Sequence, residues 1–517
     1  MRPENKSLLL ACCFTVACLF SCKKWDDHIA STSPALDETL TSYIGQQSNL
    51  SVFYSYLVKT GLDKTLGASK EYTVWAPTND ALASLDPTVV NDTAKLKAYL
   101  FNHISGQQFF TRQATDSIRV PLLNGKRVYF YRLKFDDANI TKADTYVRNG
   151  VLHVIDKGIA PLPGIWEYIQ SSTATYDQNA YIAAQVYNVQ DPSKAELDSI
   201  NPATGEPVYK PGTGIVQINT FRTKVYDIAN EDSLYTYVVL NNSAYAVETA
   251  RETPYFKSVD VNKTNSNAAW NTVKDLAIKG VYQPGQLPSA LLSKFNVHVP
   301  ISPSVIVETH KASNGIIYVV NASPADLSEK IPTVLVQGET PIGFKSTDSK
   351  YITNIFYRQR TNPITGKSFN DIYCSLGSSG ANFYVDYITS GLYTLKYKVY
   401  WVALNDKSLS GVADNPYGTD STLQQQLQIF PDTSTTFTPT FNIQTKVLPY
   451  TYTETYLGEY SNDSHEWWLS YPLSTPDGKV YDRTAATRRL RLQAPATIGA
   501  GIPFNLTLDY IKFVPEP

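Results

Sequence analysis

Aromatic residues are concentrated between Tyr450 and Tyr471, in the stretch Y-T-Y-T-E-T-Y-L-G-E-Y-S-N-D-S-H-E-W-W-L-S-Y. Aromatic rings stack on the apolar faces of sugars, and neighbouring amides, carboxylates and imidazoles hydrogen-bond to sugar hydroxyls. The stretch therefore predicts a glycan-binding platform made of Asn462, Asp463, Trp467, Trp468 and Tyr471. The alternative is that the rings fill a β-sheet core. Since adjacent strand residues point to opposite faces, we expect one tryptophan in the core and the other at the contact.

The same stretch supplies carboxylates for an enzymatic alternative. Glycoside hydrolysis uses a pair of carboxyl groups, and the candidates are Glu454, Glu459, Asp463 and Glu466. No motif supports this alternative, so we predict no catalytic residue. The chain also has no glycine-rich phosphate loop, zinc-type cysteine pair or His-Glu-x-x-His stretch, and we predict no cofactor and no metal site.

The composition describes a globular chain of several domains. Its 517 residues exceed one ordinary domain, and 43% hydrophobic with 18% charged residues is typical of proteins with sizeable cores. The 45 basic and 47 acidic residues give a net charge of −2. This balance provides no basic footprint for nucleic acid, and we expect no nucleic-acid partner.

The N-terminus has the layout of a targeting segment. Arg2 and Lys6 precede an apolar run of 13 residues, 8–20, which is too short to span a bilayer. The run ends in L-F-S-C, which resembles a bacterial lipobox and implies cleavage after residue 21 and lipidation of Cys22. The alternative is a secreted protein with an ordinary cleavage site. The following K-K-W-D-D resembles the surface-export signal of outer-membrane lipoproteins, and residues 22–36 are predicted to be a tether.

Two blocks of sequence organise the first domain. Residues 72–85, Y-T-V-W-A-P-T-N-D-A-L-A-S-L, predict a strand, a turn at Pro77 and a helix capped by Thr78 or Asn79. Residues 149–160, N-G-V-L-H-V-I-D-K-G-I-A, predict a turn followed by a buried strand.

Together these blocks resemble the two signature blocks of fasciclin-like domains, and the resemblance covers residues 37–162. It implies adhesion or recognition, not catalysis. In that family a Tyr-His or Asn-His pair occurs at the position of Asn102 and His103. We expect Asn102, His103 and His153 to have an adhesive or a structural role, and a pair of core histidines is favoured over a metal site.

A second copy of the pattern follows. Residues 235–246 align with 72–83 at an offset of 163 (235 minus 72), and residues 314–321 align with 149–156 at an offset of 165 (314 minus 149). Near-equal offsets indicate a duplication, so residues 163–322 are predicted to form a divergent fasciclin-like domain. Its opening helix is expected over 164–189 and is followed by an insertion rich in Pro and Gly. Tyr318 replaces His153 in this copy.

From residue 323 to 517 the pattern becomes that of short strands, with 416–440 expected to be a long surface loop. The predicted fold class is therefore α+β: two fasciclin-like domains of sheet and helix, followed by an all-β, jelly-roll-like sandwich. The only cysteine beyond Cys22 is Cys374, which is expected to be a small core residue.

These features favour a non-catalytic lipoprotein anchored in the outer membrane at the cell surface. Proteins of this layout resemble accessory proteins of glycan-uptake systems, so the expected partners are the membrane, a polysaccharide and an outer-membrane transporter. The alternative function is protein–protein adhesion through the fasciclin-like pair, and a glycoside hydrolase is the third reading.

Overall fold

A computed structural model describes residues 34–517, except positions 69, 259, 346–352, 363, 406–421, 431–437, 449–450, 464–472, 475–479, 482–486 and 501. The described chain forms two compact units. Unit 1 comprises residues 34–164, 230–233 and 311–314, and unit 2 comprises residues 165–229, 234–310 and 315–517. The predicted boundary between residues 322 and 323 lies inside unit 2 and stays a prediction. No helix of the described residues is both long enough and apolar enough to cross a membrane.

Unit 1 combines six short helices with one sheet. The helices are α1 (Leu40–Gln46), α2 (Ser51–Thr60), α3 (Leu62–Leu66), α4 (Asn79–Leu82), α5 (Pro87–Asn91) and α6 (Thr93–Phe101). The strands are β1 (Tyr72–Pro77), β2 (Ile104–Ser105), β3 (Ile118–Pro121), β4 (Arg127–Tyr131), β5 (Lys134–Phe135), β6 (Ala138–Val147) and β7 (Gly150–Ile155). Their order in the sheet is β2-β1-β7-β6-β5-β4-β3.

The two sequence blocks form the centre of unit 1. Strands β1 and β7 run parallel with Tyr72 opposite Gly150, and every residue of both strands is buried. A Cβ added at Gly150 would collide with the Tyr72 carbonyl oxygen, so the close pairing requires glycine. Strand β1 ends at Pro77, and the Thr78 hydroxyl accepts from the Ala81 N–H at 3.3 Å as the cap of α4. The predicted strand, turn and capped helix are confirmed.

The elements that begin in unit 2 are more numerous. The helices are α7 (Ile165–Ser171), α8 (Asp177–Ala184), α9 (Thr220–Lys224), α10 (Asn242–Glu252), α11 (Val261–Val273) and α12 (Leu327–Lys330). The strands up to residue 320 are β8 (Val186–Gln190), β9 (Leu197–Ile200), β10 (Pro207–Tyr209), β11 (Ile215–Asn219), β12 (Tyr235–Leu240), β13 (Ala277–Lys279), β14 (Ala290–Leu292), β15 (His298–Pro300), β16 (Ile306–Ala312) and β17 (Gly315–Val320).

The remaining strands lie in the C-terminal part of unit 2. They are β18 (Val334–Gln337), β19 (Gly343–Phe344), β20 (Ile355–Thr361), β21 (Ser368–Cys374), β22 (Tyr384–Ser390), β23 (Lys396–Val402), β24 (Leu423–Phe430), β25 (Phe441–Val447), β26 (Thr455–Ser461), β27 (Leu473–Ser474), β28 (Val480–Tyr481), β29 (Thr487–Gln493), β30 (Leu506–Leu508) and β31 (Tyr510–Glu516).

Unit 2 repeats the central pairing of unit 1. Strands β12 and β17 run parallel with Tyr235 opposite Gly315, and a Cβ on Gly315 would collide with the Tyr235 carbonyl oxygen. The Asn241 side chain caps α10 by accepting from the Ala244 N–H at 2.9 Å. The internal repeat inferred from the offsets is therefore present in the backbone pairing.

The predicted single opening helix over 164–189 is wrong, because this segment forms two helices and a strand. Helix α7 ends at Ser171, α8 ends at Ala184, and Val186–Gln190 is strand β8, paired antiparallel with β11. The β-branched and aromatic residues of V-Y-N-V-Q suit a pleated strand better than a helix. The Pro- and Gly-rich insertion is a hairpin of β9 and β10.

The C-terminal strands pack as sheets around one hydrophobic core. The larger sheets have the orders β18-β31-β23-β26 and β19-β22-β29-β24-β25, and a third is β20-β21-β30. Side chains of both larger sheets meet in one core, with Trp401 and Phe513 from the first and Tyr387, Leu427 and Leu490 from the second. This arrangement is consistent with the predicted all-β sandwich.

The predicted surface loop over 416–440 is wrong at its centre, where Leu423–Phe430 forms β24 between β29 and β25 in the five-stranded sheet. Gln425 occupies a core-facing position and is 0% exposed. Its amide donates to the Thr507 carbonyl at 2.9 Å and accepts from the Thr507 N–H at 3.1 Å. Because the inward-facing Gln425 is polar like the outward-facing glutamines beside it, hydrophobicity alone does not show the alternation of inward and outward residues in this strand.

Candidate functional site

Asn102 and His103 end helix α6 inside the core of unit 1. His103 is 0% exposed; its Nδ1 is 2.9 Å from the Tyr99 carbonyl oxygen, and its Nε2 accepts from the Ile159 N–H at 3.0 Å. Burial lowers the pKa of His103 to about 4, so the ring is neutral at physiological pH. Asn102 is 1% exposed and donates to the Ile159 carbonyl at 3.0 Å. Both side chains fix the segment around Ile159 and are out of reach of a partner.

His153 lies in β7 and has an equivalent internal role. Its Nε2 is 3.0 Å from the Phe109 carbonyl oxygen, its Nδ1 accepts from the Asp144 N–H at 3.2 Å, and burial lowers its pKa. The ring stacks on Trp75 at a centroid distance of 5.6 Å. The three candidates of unit 1 therefore fit the structural alternative and not direct adhesion.

The repeat in unit 2 supports this structural reading. Tyr318 occupies the position equivalent to His153, and its hydroxyl donates to the Tyr282 carbonyl at 2.7 Å. A tyrosine thus makes the strand-to-loop hydrogen bond that the histidine makes in unit 1. Among the described residues, no group of three or more His, Cys, Asp and Glu side chains is arranged to hold a metal ion.

The predicted glycan platform is described only in part. Trp467, Trp468 and Tyr471 lie outside the described residues, as does the predicted lipidation site Cys22. Asp463 is exposed at the end of β26.

Asn462 is corrected by the structure, because it is 3% exposed and works as an internal brace. Its amide donates to the carbonyls of Leu392 at 3.1 Å and Tyr393 at 3.0 Å, and its oxygen accepts from Arg488 Nε at 3.1 Å. Its side chain is committed to the chain entering β23 and is not presented to a ligand.

Two of the four carboxylates considered for glycoside cleavage are ion-paired on the surface of the four-stranded sheet. Lys512 Nζ is 2.9 Å from Glu454 Oε1, and the Tyr510 hydroxyl donates to the same oxygen at 2.8 Å. Partial burial opposes ionisation, but these two donors lower the pKa of Glu454, which does not suit a general acid. Glu459 is 3.7 Å from Lys396. Glu466 lies outside the described residues.

The outward face of the five-stranded sheet carries a polar surface that the sequence analysis missed. We call it the glutamine face. Its members alternate with core residues on four adjacent strands: Tyr384 and Asp386 on β22, Arg491 and Gln493 on β29, Gln424, Gln426 and Gln428 on β24, and Asn442, Gln444 and Lys446 on β25.

The strand register arranges these side chains in rows. Gln444, Gln426, Gln493 and Tyr384 lie opposite one another across the four strands. The next row is Asn442, Gln428, Arg491 and Asp386. Amide, guanidinium, carboxylate and phenol groups therefore lie on the outward side of the sheet at the regular spacing of its strands.

Arg491 is the fixed element of the glutamine face. It bonds both oxygens of Asp386, at 2.8 and 3.0 Å, and its guanidinium carbon lies 3.5 Å from the centre of the Tyr384 ring. The same guanidinium lies 5.4 Å from the Phe430 ring centre. Pairing and stacking restrict the rotamers of these three side chains, so this part of the glutamine face is held in one arrangement.

The signal for this face was present in the sequence. In L-Q-Q-Q-L-Q-I-F, Leu423, Leu427 and Ile429 alternate with Gln424, Gln426 and Gln428. Residues 416–440 are rich in Thr, Ser and Gln, and this composition led to the prediction of a loop despite the alternation of Leu and Ile with Gln.

Residues 48–161 match the model of the fasciclin domain family. The chain is 29% identical over 143 residues to Protein sll1483 of Synechocystis sp., a match covering 26% of this chain and 77% of that protein.

Solved structures give two further similarities. One is a FAS1 domain pair from the insect cell adhesion molecule Fasciclin I, at 17% identity, covering 55% of this chain and 99% of that one, with a TM-score of 0.22. The other is a family 35 carbohydrate binding module from Clostridium thermocellum, at 11% identity, covering 36% and 99%, with a TM-score of 0.19. At these TM-scores neither similarity carries an argument about function.

Proposed function

We propose that this chain is a non-catalytic recognition protein that holds a glycan on the glutamine face of its C-terminal sheets. The observation that carries the proposal is the pair of in-register rows centred on Gln426 and Gln428. Sugar hydroxyls both donate and accept, and primary amides offer both functions in one planar group. The Tyr384 ring beside Arg491 adds an aromatic surface for stacking on a sugar face.

A surface of this kind suits an extended polysaccharide better than a small enclosed ligand. The rows run across four strands whose neighbours are about 4.8 Å apart, so the four strand positions of one row span about 14 Å. A polysaccharide lying across the strands would therefore contact donors and acceptors from several strands of one row. Many weak contacts along a chain give moderate affinity without a deep pocket.

The proposed location is the cell surface, through a lipid on Cys22 that anchors the protein in the outer membrane. In this setting the protein would serve as an accessory of an outer-membrane transporter that imports polysaccharide. We further propose that the repeat within 163–322 is a second, divergent fasciclin domain, on the basis of its matching strand pairing and glycine contact.

The test is affinity electrophoresis of the full-length protein through gels that contain a panel of polysaccharides. The variant Gln426→Ala with Gln428→Ala removes up to four hydrogen bonds that two half-buried amides could make to a glycan. At about 0.5–1.5 kcal/mol per bond, binding should weaken at least tenfold. The matched control is Tyr456→Ala, which removes an exposed aromatic, 51% accessible, from the four-stranded sheet and should leave retardation unchanged.

The same polysaccharide panel also distinguishes binding at the glutamine face from binding at the aromatic stretch and from glycosidase activity. Retardation that survives the glutamine variants but is lost in Trp467→Ala with Trp468→Ala would move the site to the aromatic stretch. Release of reducing sugar would establish a glycosidase. If no polysaccharide retards the protein, glycan capture fails.

Protein–protein adhesion is the second candidate function, and the fasciclin domain at 48–161 favours it. Its surface must lie away from Asn102, His103 and His153, which are buried. Binding of the full chain to an isolated membrane partner, unaffected by the glutamine variants, would support this function over glycan capture.

A further inference from the structure

Unit 2 contains a cavity of about 830 Å³ beside helices α11 and α12. Trp270, Lys274 and Lys330 line its interior and are 1%, 6% and 4% exposed. Lys294 and Phe295, at the turn between β14 and β15, form part of its exposed rim. The volume falls in the range of about 300–1,000 Å³ that is typical of small-molecule sites.

The two buried lysines differ in how their ammonium groups are satisfied. Lys330 Nζ is 2.8 Å from Glu252 Oε1 and 3.4 Å from Asp275 Oδ2, and it donates to the Asn271 carbonyl at 2.6 Å. One carbonyl and two carboxylates thus lie within 3.4 Å of this ammonium. Lys330 is therefore a structural ion.

The Lys274 ammonium donates fewer hydrogen bonds than its three N–H groups allow. Its Nζ is 2.8 Å from Asp275 Oδ2, which is its one hydrogen-bond acceptor within the described residues. The ammonium lies 4.9 Å from the centre of the Phe295 ring, which also lines the cavity. Among the described residues, two N–H groups of the Lys274 ammonium thus have no protein acceptor at the wall of the cavity.

The charges around the cavity favour an anion. Four lysines line it: Lys224, Lys274, Lys294 and Lys330. The opposing carboxylates are Glu329 on the lining and Asp275 and Glu252 behind it, which leaves a net charge of +1 (four minus three). Glu329 is also turned towards His298, whose Nδ1 lies 2.7 Å away and whose backbone N–H donates at 2.6 Å. A ligand carboxylate would complete the charge balance and use the open donors of Lys274.

The residues at the rim of the cavity indicate the chemistry of the part of the ligand that carries the carboxylate. Phe295 is 39% exposed and presents an aromatic surface beside Lys274. Lys294 is fixed near it by donating to the carbonyls of Lys224 at 2.9 Å and Val225 at 2.8 Å. A ligand carboxylate would pair with the Lys274 ammonium, and a ligand ring with an apolar side would stack on the adjacent Phe295 ring. We propose that this cavity binds an acidic sugar of the uronate type, with the carboxylate on Lys274 and the sugar ring against Phe295.

This site is separate from the glutamine face and stands whether or not that face binds glycan. The experiment is isothermal titration of the full-length protein with oligogalacturonate, with its methyl-esterified neutral form and with inorganic phosphate. The acidic sugar should bind at least about tenfold tighter than the ester, because a charge-assisted hydrogen bond contributes more than a neutral one. Phosphate at equal concentration should not displace it.

Substitutions of residues that line the cavity test whether the acidic sugar binds there. Lys274→Met should reduce affinity at least about tenfold, but it removes one partner of a buried ion pair and could prevent folding. The exposed rim therefore gives the decisive variant: Phe295→Ala leaves the ion pairs intact and should weaken binding several-fold. The matched control is Phe356→Ala, which removes a phenylalanine of the same 39% exposure from β20, outside the cavity, and should change nothing.

Equal affinity for the acidic and esterified sugars would overturn the proposal, as would displacement by phosphate. So would uronate binding that is unchanged in Phe295→Ala, or that is lost in Gln426→Ala with Gln428→Ala. The last result would assign the acidic sugar to the glutamine face instead.

Discussion

The buried imidazole of His103 makes the stability of unit 1 depend on pH. Burial lowers its pKa to about 4, against about 6.5 in an unfolded chain, so the folded state binds fewer protons than the unfolded state between these values. Stability from this group is therefore fully present above pH 6.5 and is lost as the pH falls towards 4.

The size of the effect follows from the two pKa values. Each unit of difference corresponds to about 1.4 kcal/mol, so the total loss is about 3 kcal/mol below pH 4. Between pH 7.5 and pH 5 the expected loss is about 2 kcal/mol. His153 has a lowered pKa for the same reason and adds to the loss in the same direction.

The perturbation that isolates His103 is His103→Gln, which removes the titrating ring and keeps an amide that can hydrogen-bond. The variant should be less stable at pH 7.5, because two buried hydrogen bonds are altered. Its loss of stability between pH 7.5 and pH 5 should be about 2 kcal/mol smaller than that of the natural chain.

The assay is hydrogen exchange of the β1 and β7 amides in the full-length protein, corrected for the intrinsic pH dependence of exchange. The control is His310→Gln, which changes a histidine 40% exposed and should leave the exchange of β1 and β7 unchanged. If His103→Gln retained the full pH dependence of the natural chain, the assignment of the acid sensitivity to this buried ring would be refuted.

Three further predictions concern the packing of the fold. Gly150→Ala should destabilise unit 1 by several kcal/mol, since the new Cβ meets a strand carbonyl, whereas Gly285→Ala, with open space around it, should be neutral in the same thermal melts. Gln425→Leu should cost about 2–4 kcal/mol in the exchange-derived stability of β24, because both backbone groups of Thr507 lose their partner; an unchanged value would contradict the bracing role. Cys374 is 0% exposed, and burial raises the pKa of its thiol to about 12, so a thiol reagent should modify it only in denaturant; fast labelling of the native protein would disprove its burial.

The sequence determined the local structure of the chain wherever the pattern was short in range. The turn at Pro77, the cap at Thr78 and the paired glycines Gly150 and Gly315 each follow from backbone chemistry that a few neighbouring residues decide. The equal spacing of two blocks likewise revealed the repeat. The fasciclin resemblance at 37–162 rested on these positions, and the family match at 48–161 confirms it.

Tertiary structure decided which side chains are available for function. Asn102, His103 and Asn462 have the polar groups of contact residues, yet each is buried and bonded to backbone atoms from distant segments. Conversely, the glutamine face depends on four strands, and no one of them carries the surface alone. A binding surface is a property of register between strands that are far apart in sequence, and the ion cluster beneath the cavity likewise joins residues from 252 to 330. The alternation along β24 indicates which of its side chains point outward, but only long-range packing sets the neighbouring strands, the exposure and the distances.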